Sequence, residues 1–374
     1  MRVLGIDPGT VSIDIVGLDD GRVFMDRTFP TAEALADIDA FSRVVAAAAP
    51  LDLVAGPSGY GLPLVPARDA TDDDLRLACL APEGLQGGIG GLRRLMRALA
   101  ALPVPVVFTP GVIHLRSVPD YRKINRVDMG TADKLCAVVL AIWMEMQRRQ
   151  CAADEISFVL VELGGAFTAA VAVDGGRVVD GIGGTSGPIG ARAAGALDGE
   201  VAFLMETISK GALFDGGAAS VAGAGPVRWD VEPRDERSQR AWDAYVEGAA
   251  KAAAALLVSA PAADAVLLSG RFAAEPVRVA IQERLAPLRA SLDVRALTGM
   301  ARVATHAAEG AALMADGLAG GRLRSVIERL GLRDAAGTVL DHLCVMSPAT
   351  ARRRLGLGTG IGTATGPAPG TGPG

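Results

Sequence analysis

The feature that most constrains this chain is one unit written twice. Residues 2–6 are a short apolar run, Asp7-Pro8-Gly9-Thr10 is a turn, and residues 11–18 return as a second apolar run. Asp19-Asp20-Gly21-Arg22 turns the chain again and residues 23–29 follow as a third run. The order recurs later: residues 156–161, the turn Glu162-Leu163-Gly164-Gly165, residues 167–173, the turn Asp174-Gly175-Gly176-Arg177, then a third run from residue 178. Turn chemistry and β-branched enrichment make each copy a three-stranded meander. Duplication on this scale sets the whole fold, predicting two α/β domains facing each other across a cleft.

The intervening sequence supplies the other layers. Hydrophobic periodicity and breakers predict helices over 33–49, 91–101, 131–149, 240–258, 275–285 and 301–315, a parallel-type strand over 51–55 and further strands over 104–108 and 265–268. The expected division is a first domain over 1–130, a connecting helix over 131–155, a second domain over 156–330 and an extension over 331–374. From about residue 356 the chain holds only Gly, Thr, Pro, Ala, Leu and Ile, which bury little, so a disordered tail is expected there. Aromatic residues are 4% of the chain, so Ala, Val, Leu and Ile must build the core.

Composition excludes several classes. The net charge is −5 with both signs interspersed, and no basic patch suits nucleic acid. Cys79, Cys136, Cys151 and Cys344 form no CxxC pair, and His114, His306 and His342 are scattered, which argues against a zinc site or disulfide framework. Mean hydropathy is +0.33, yet no apolar run reaches the roughly 20 residues that span a bilayer. Asp7 interrupts the N-terminus before any leader-like apolar stretch, so a cytoplasmic protein is expected.

The acid–glycine turns carry the chemistry. Glycine lets backbone N–H groups approach phosphate oxygens directly. The Asp7 carboxylate can hold Mg²⁺, usually through water, and the Thr10 hydroxyl adds a donor beside Gly9. Alone, the segment reads equally well as a hairpin turn, because Asp, Pro and Gly favour turns. The second turn, with Glu162, Gly164, Gly165 and Thr168, allows the two to grip a polyphosphate from opposite sides. A third glycine, in Ser269-Gly270-Arg271 after a buried strand, allows backbone to lie flat against an adenine or ribose. No Walker-type GxxxxGK[ST] and no GxGxxG is present.

In this order the three segments resemble the phosphate-1, phosphate-2 and adenosine motifs of the actin/sugar-kinase/Hsp70 superfamily, and residues 309–321 resemble its closing helix. The resemblance spans about residues 1–330 and implies two ribonuclease-H-like α/β domains with an ATP cleft between them. It also implies ATP and Mg²⁺ as cofactors, with Asp7 and Glu162 at the metal. Glu162 stands where Asp is commoner, so it either reaches the metal with a longer arm or acts as a base. The Gly-rich segment 183–198 resembles a loop of acetate and butyrate kinases, which implies that Arg192 contacts the transferred phosphoryl group or a substrate carboxylate. The serine of that pattern is replaced by Ala193 and Ala194. A flexible loop with a solvated Arg192 is the plainer reading.

Asp128-Met129-Gly130-Thr131-Ala132-Asp133-Lys134 resembles loosely a motif of type III pantothenate kinases, which implies that Asp133 orients or deprotonates an acceptor. The helix macrodipole alone also accounts for an Asp in a first turn. Arg116, Tyr121, Arg122, Lys123, Asn125 and Arg126 form either an anion site beside the cleft or a solvated loop.

Taken whole, the chain resembles most a butyrate-kinase-like family of the superfamily. The expectation is a kinase for a small-molecule carboxylate or hydroxyl; the oligomeric state is open, although a homodimer is common among the carboxylate kinases it resembles. The alternative is an ATPase switch or activator module acting on a protein partner.

Overall fold

In the computed structural model, residues 1–57, 59–81, 88–223, 231, 233 and 235–357 are described. The first half holds β1 (Arg2–Pro8), β2 (Ser12–Asp19), β3 (Arg22–Pro30), α1 (Thr31–Ala36), α2 (Ile38–Ala46), β4 (Leu53–Pro57), β5 (Val65–Pro66), α3 (Asp72–Cys79), α4 (Gly88–Ala100) and β6 (Val106–Thr109). The short α5 (Asp120–Lys123) and the long α6 (Ala132–Arg149) lead to the second half. There β7 (Phe158–Leu163), β8 (Thr168–Asp174) and β9 (Arg177–Ile182) precede α7 (Gly199–Leu204), α8 (Ala218–Ala222) and α9 (Glu236–Leu257). β10 (Ala265–Ser269), α10 (Glu275–Leu285), β11 (Asp293–Ala296), α11 (His306–Leu318), α12 (Arg324–Leu330) and α13 (Pro348–Arg354) complete the chain.

The duplication expected from sequence is present. The first sheet has the order β3-β2-β1-β4-β6-β5 and the second β11-β10-β7-β8-β9. In each, the meander is antiparallel and two later strands run parallel to its first strand. The short β5 is an added edge in the first sheet.

Both sheets are buried on both faces, so side-chain alternation divides the core. Val3, Val16 and Leu18 face the centre, whereas Leu4, Ile6, Ile13 and Ile15 face α2 and α4. Likewise Phe158, Leu160 and Val171 face the centre, and Val159, Val161 and Ala172 face α9 and α10. The central layer is α6 and α11, and α11 lies across β1, β2 and β4 as well as against α6. Two glycines permit that contact. A Cβ on Gly5 would lie 2.1 Å from the Ala312 N, and one on Gly310 would lie 1.9 Å from the Cys136 O.

Several elements depart from the sequence reading. The helix predicted over 33–49 breaks at Asp37, whose side chain accepts from the Ala40 N–H (2.8 Å) and caps α2. The helix predicted over 301–315 begins only at His306, with Thr305 as its cap. β11 had no sequence signal, since Asp293 and Arg295 flank its single buried residue, Val294.

The C-terminal extension packs on the body: Leu332, Val339 and Leu340 join the central core, and the Asn125 Oδ1 accepts from the N–H groups of Cys344 (2.7 Å) and Val345 (2.9 Å). Of the tail expected to be disordered, Leu357 is buried, and the Arg76 Nη1 donates to the Gly356 O at 3.0 Å. Residues 358–374 lie outside the described residues. Among the described residues, no helix is long and apolar enough to cross a membrane.

Candidate active site

Three turns close on one cleft of about 580 Å³ between the halves. The first joins β1 to β2. Gly9 N–H donates to the Asp7 O (3.1 Å), the Thr31 hydroxyl donates to the Gly9 O (2.8 Å), and a Cβ on Gly9 would lie 2.8 Å from the Ser12 O. The second joins β7 to β8, with Gly164 N–H donating to the Phe167 O at 3.0 Å. The third follows β10. Gly270 has φ +96°, and a Cβ there would meet the Leu163 O at 2.5 Å and the Glu162 Oε1 at 2.7 Å. Side chains at Gly9 and Gly270 would collide with the neighbouring backbone, so the tight turns require glycine there. The halves approach closely, since a Cβ on Gly165 would lie 3.5 Å from the Val11 Cγ2.

The N-termini of α6 and α11 bring charge to this cleft. Asp7 is 6% exposed and its Oδ2 accepts from the Thr305 hydroxyl at 2.7 Å. Burial, and then the nearby Asp133 carboxylate, push the Asp7 carboxyl up to about 7. Burial also pushes Asp133 upward, but the Lys134 ammonium at 2.5 Å and the Thr131 hydroxyl outweigh it and hold Asp133 below the usual range. Burial works against the charge on Lys134 as well, yet Asp133 and Glu162 keep its pKa above the ordinary value. One firmly charged ion pair thus sits beside one carboxyl poised near neutrality.

The loop before α11 is fixed by carboxylates that accept main-chain N–H groups. Buried Glu309 accepts from Met300 (2.7 Å) and Ala301 (3.1 Å). Asp26, on β3, accepts from Arg302 (2.6 Å), Val303 (3.1 Å) and Ala304 (2.8 Å). This holds Thr305 over Asp7 and His306 against Ser269, whose Oγ lies 2.9 Å from the His306 Nδ1. Asp14, buried and hydrogen-bonded by the Ser12 hydroxyl (2.7 Å), also lines the cleft, and burial raises its pKa.

Most residues selected from sequence meet here. Asp7, Gly9, Thr10, Asp133, Glu162, Gly164, Gly165, Ser269, Gly270 and Arg271 all line the cleft. Thr168 does not: it is fully buried beside Tyr245, because strand alternation turns it away. Arg192 is also outside. Its side chain is exposed, while its backbone N–H is tied to the Ala166 O at 3.1 Å.

Much of the basic cluster near residue 120 is structural. Arg116 donates to the Asp334 O (2.9 Å), Arg122 to the Val179 O (2.7 Å), and buried Lys123 to the Leu115 O (3.0 Å). Sequence reasoning assigned no role to Lys134, Thr305, His306 or Asp14. Lys134 had a signal, standing next to Asp133, whereas Thr305 and His306 were hidden inside a predicted helix.

The donor set suits a nucleotide with a hard cation. Asp7 and Glu162 offer carboxylate oxygens. Among the described residues, no group of three or more His, Cys, Asp or Glu side chains could by itself hold a metal ion. Mg²⁺ needs no such cage, as it keeps waters and phosphate oxygens in its shell.

Two sheets of one topology, facing across a cleft lined by acid–glycine turns, define a fold class: the two-part α/β fold that acetate and propionate kinases also have. Residues 5–345 match the family described as Protein of unknown function (DUF1464), and the chain belongs to that family. No curated protein matches the chain. Among solved structures, it is similar to a propionate kinase from Francisella tularensis subsp. tularensis SCHU S4, with 14% identity, 83% of this chain and 98% of that chain covered, and a TM-score of 0.59. It is similar to an acetate kinase from Entamoeba histolytica, with 12% identity, 77% and 87% covered, and a TM-score of 0.55. The acetate kinase of Porphyromonas gingivalis has 13% identity, 72% and 82% covered, and a TM-score of 0.51. At these identities the likeness is one of fold.

Proposed function

We propose that this chain is an ATP-dependent phosphotransferase acting on a small-molecule carboxylate or hydroxyl. One observation carries the reading: an acid–glycine turn from each half converges on a single cleft that also holds the Asp133–Lys134 pair. The backbone of Gly9, Gly164 and Gly165 and the Thr10 hydroxyl receive the phosphates, and Ser269, Gly270 and Arg271 receive the nucleoside end. Asp7 and Glu162 are the residues that would hold Mg²⁺. Bound Mg-ATP supplies the phosphoryl group, with the cation offsetting phosphate charge.

The protein's own work is positioning and electrostatics. Lys134 offsets negative charge next to Asp7. Asp133, kept ionised by Lys134, orients the acceptor. Thr305 fixes the Asp7 carboxylate. The loop latched by Asp26 and Glu309 holds Thr305 in place.

The test is calorimetry with Mg-ATP, followed by ADP release across a broad panel of metabolites. Mg-ATP should bind, one acceptor class should accelerate ADP release, and Asp7→Asn should cut that rate at least ~100-fold while the variant stays folded. Absence of heat with Mg-ATP would sink the reading. Slow hydrolysis indifferent to every acceptor would favour an ATPase switch with a protein partner.

A further inference from the structure

Beyond the phosphate-binding turns the cleft continues between the halves. On the first side it is walled by Tyr60, Ala78 and Leu92, and on the second by Leu213 and Phe214. The last two arrive on a strap that leaves the second half at Gly195 (φ +81°) and returns at Gly216 (φ +82°). An Ala193–Gly216 bridge closes the base of the strap, and Phe214 packs edge-on against Phe167 with ring centroids 5.0 Å apart. Between Gly195 and Gly216 the sequence has a single basic residue, Lys210.

Lys210 crosses to the first half. Lys210 is half-buried, its Nζ stands 5.2 Å from the centroid of the Tyr60 ring, and it forms no ion pair with any described residue. The carboxylate that acts on its charge, Asp128, is already committed. Buried Asp128 accepts from the Thr185 N–H (3.0 Å), the Thr185 hydroxyl (3.1 Å) and the Gly130 N–H (3.1 Å). The Tyr60 hydroxyl lies beside Thr185. Burial lowers the Lys210 pKa, with Cys79 and Asp128 opposing it. An ammonium partly removed from water, resting on an aromatic face without an anion, is a site short of one negative charge.

We infer that Lys210 binds the anionic end of the acceptor and makes this site select a small anion with a short apolar stem over its neutral counterpart. The stem lies against Ala78, Leu92 and Phe214, and Tyr60 sets the position of the cation. This inference rests on the phosphotransferase reading.

The test measures calorimetric affinity for butyrate, succinate and glycerol 3-phosphate, and for neutral butyramide and glycerol, with Mg-ADP present. The wild type should bind at least one anion tenfold or more tightly than its neutral counterpart. Lys210→Met should bring that ratio to near one, and Lys210→Arg should restore most of it. Mg-ATP affinity should change less than twofold in both variants, a split that a merely structural role for Lys210 would not produce. The inference is overturned if Lys210→Met keeps the preference, or if the wild type binds Mg-ATP but shows no preference for any of these anions. Failure of the wild type to bind Mg-ATP would instead remove the phosphotransferase reading itself.

Discussion

Asp7 and Asp133 lie near the same ammonium, and their pKa values part in opposite directions, which is how neighbouring carboxyls acquire different tasks. Another buried titrating group, outside the cleft, shows the same physics. His114 is 2% exposed in the central core, with its Nδ1 3.3 Å from the Gly111 N, and burial lowers its pKa to about 4. A histidine with a depressed folded-state pKa resists protonation in the fold but not when unfolded. Its contribution to stability is therefore full above about pH 6.5 and is lost as pH falls toward 4. Between pH 7 and pH 5 the wild type should lose about 2 kcal/mol more than His114→Gln in urea unfolding. Equal losses would show that His114 does not titrate as its burial implies. At this scale the sequence exposed Asp7, Glu162 and the turn glycines at strand ends, and Asp133 in the first turn of a helix, because these are local signals. It could not expose Thr305, which acts only because α11 begins over β1.

At the scale of elements, the contact of α11 with β1 depends on missing side chains. Gly5→Ala would drive a Cβ to 2.1 Å from the Ala312 N and 2.2 Å from the Ala308 O, both on helix backbone that cannot step aside cheaply. The expected cost is about 3 kcal/mol or more. Gly199→Ala, where a Cβ meets nothing within 4 Å, should cost far less and serves as the control in the same denaturation experiment. Helix α11 and the meander were legible as a helix and as strands, from periodicity and turn chemistry. The start of α11 was not. The Asp26 and Glu309 carboxylates take up the N–H groups of residues 300–304 and hold them out of the helix, and Asp26 is separated from its partners by 276 to 278 residues. The placement of Arg192 was equally hidden: the loop's backbone ties leave its side chain in solvent, outside the cleft lining.

For the whole molecule, the cleft is a clamp only if both halves respond to one ligand. Hydrogen exchange with and without Mg-ATP should show slowed exchange in residues 7–12, 163–168 and 268–272 together. Protection confined to the first turn would mean that the halves do not act on a common nucleotide. The sequence by itself determined the duplicated meander, the sheet-forming runs and the acid–glycine turns, since each is written in residues a few positions apart. The tertiary structure decided which residues share the cleft. It brought Lys134, Thr305 and His306 in, left Thr168 and Arg192 out, and carried Lys210 across to Tyr60. Those outcomes depend on the direction in which an element presents a side chain and on hydrogen bonds between residues hundreds of positions apart, and no local pattern encodes either.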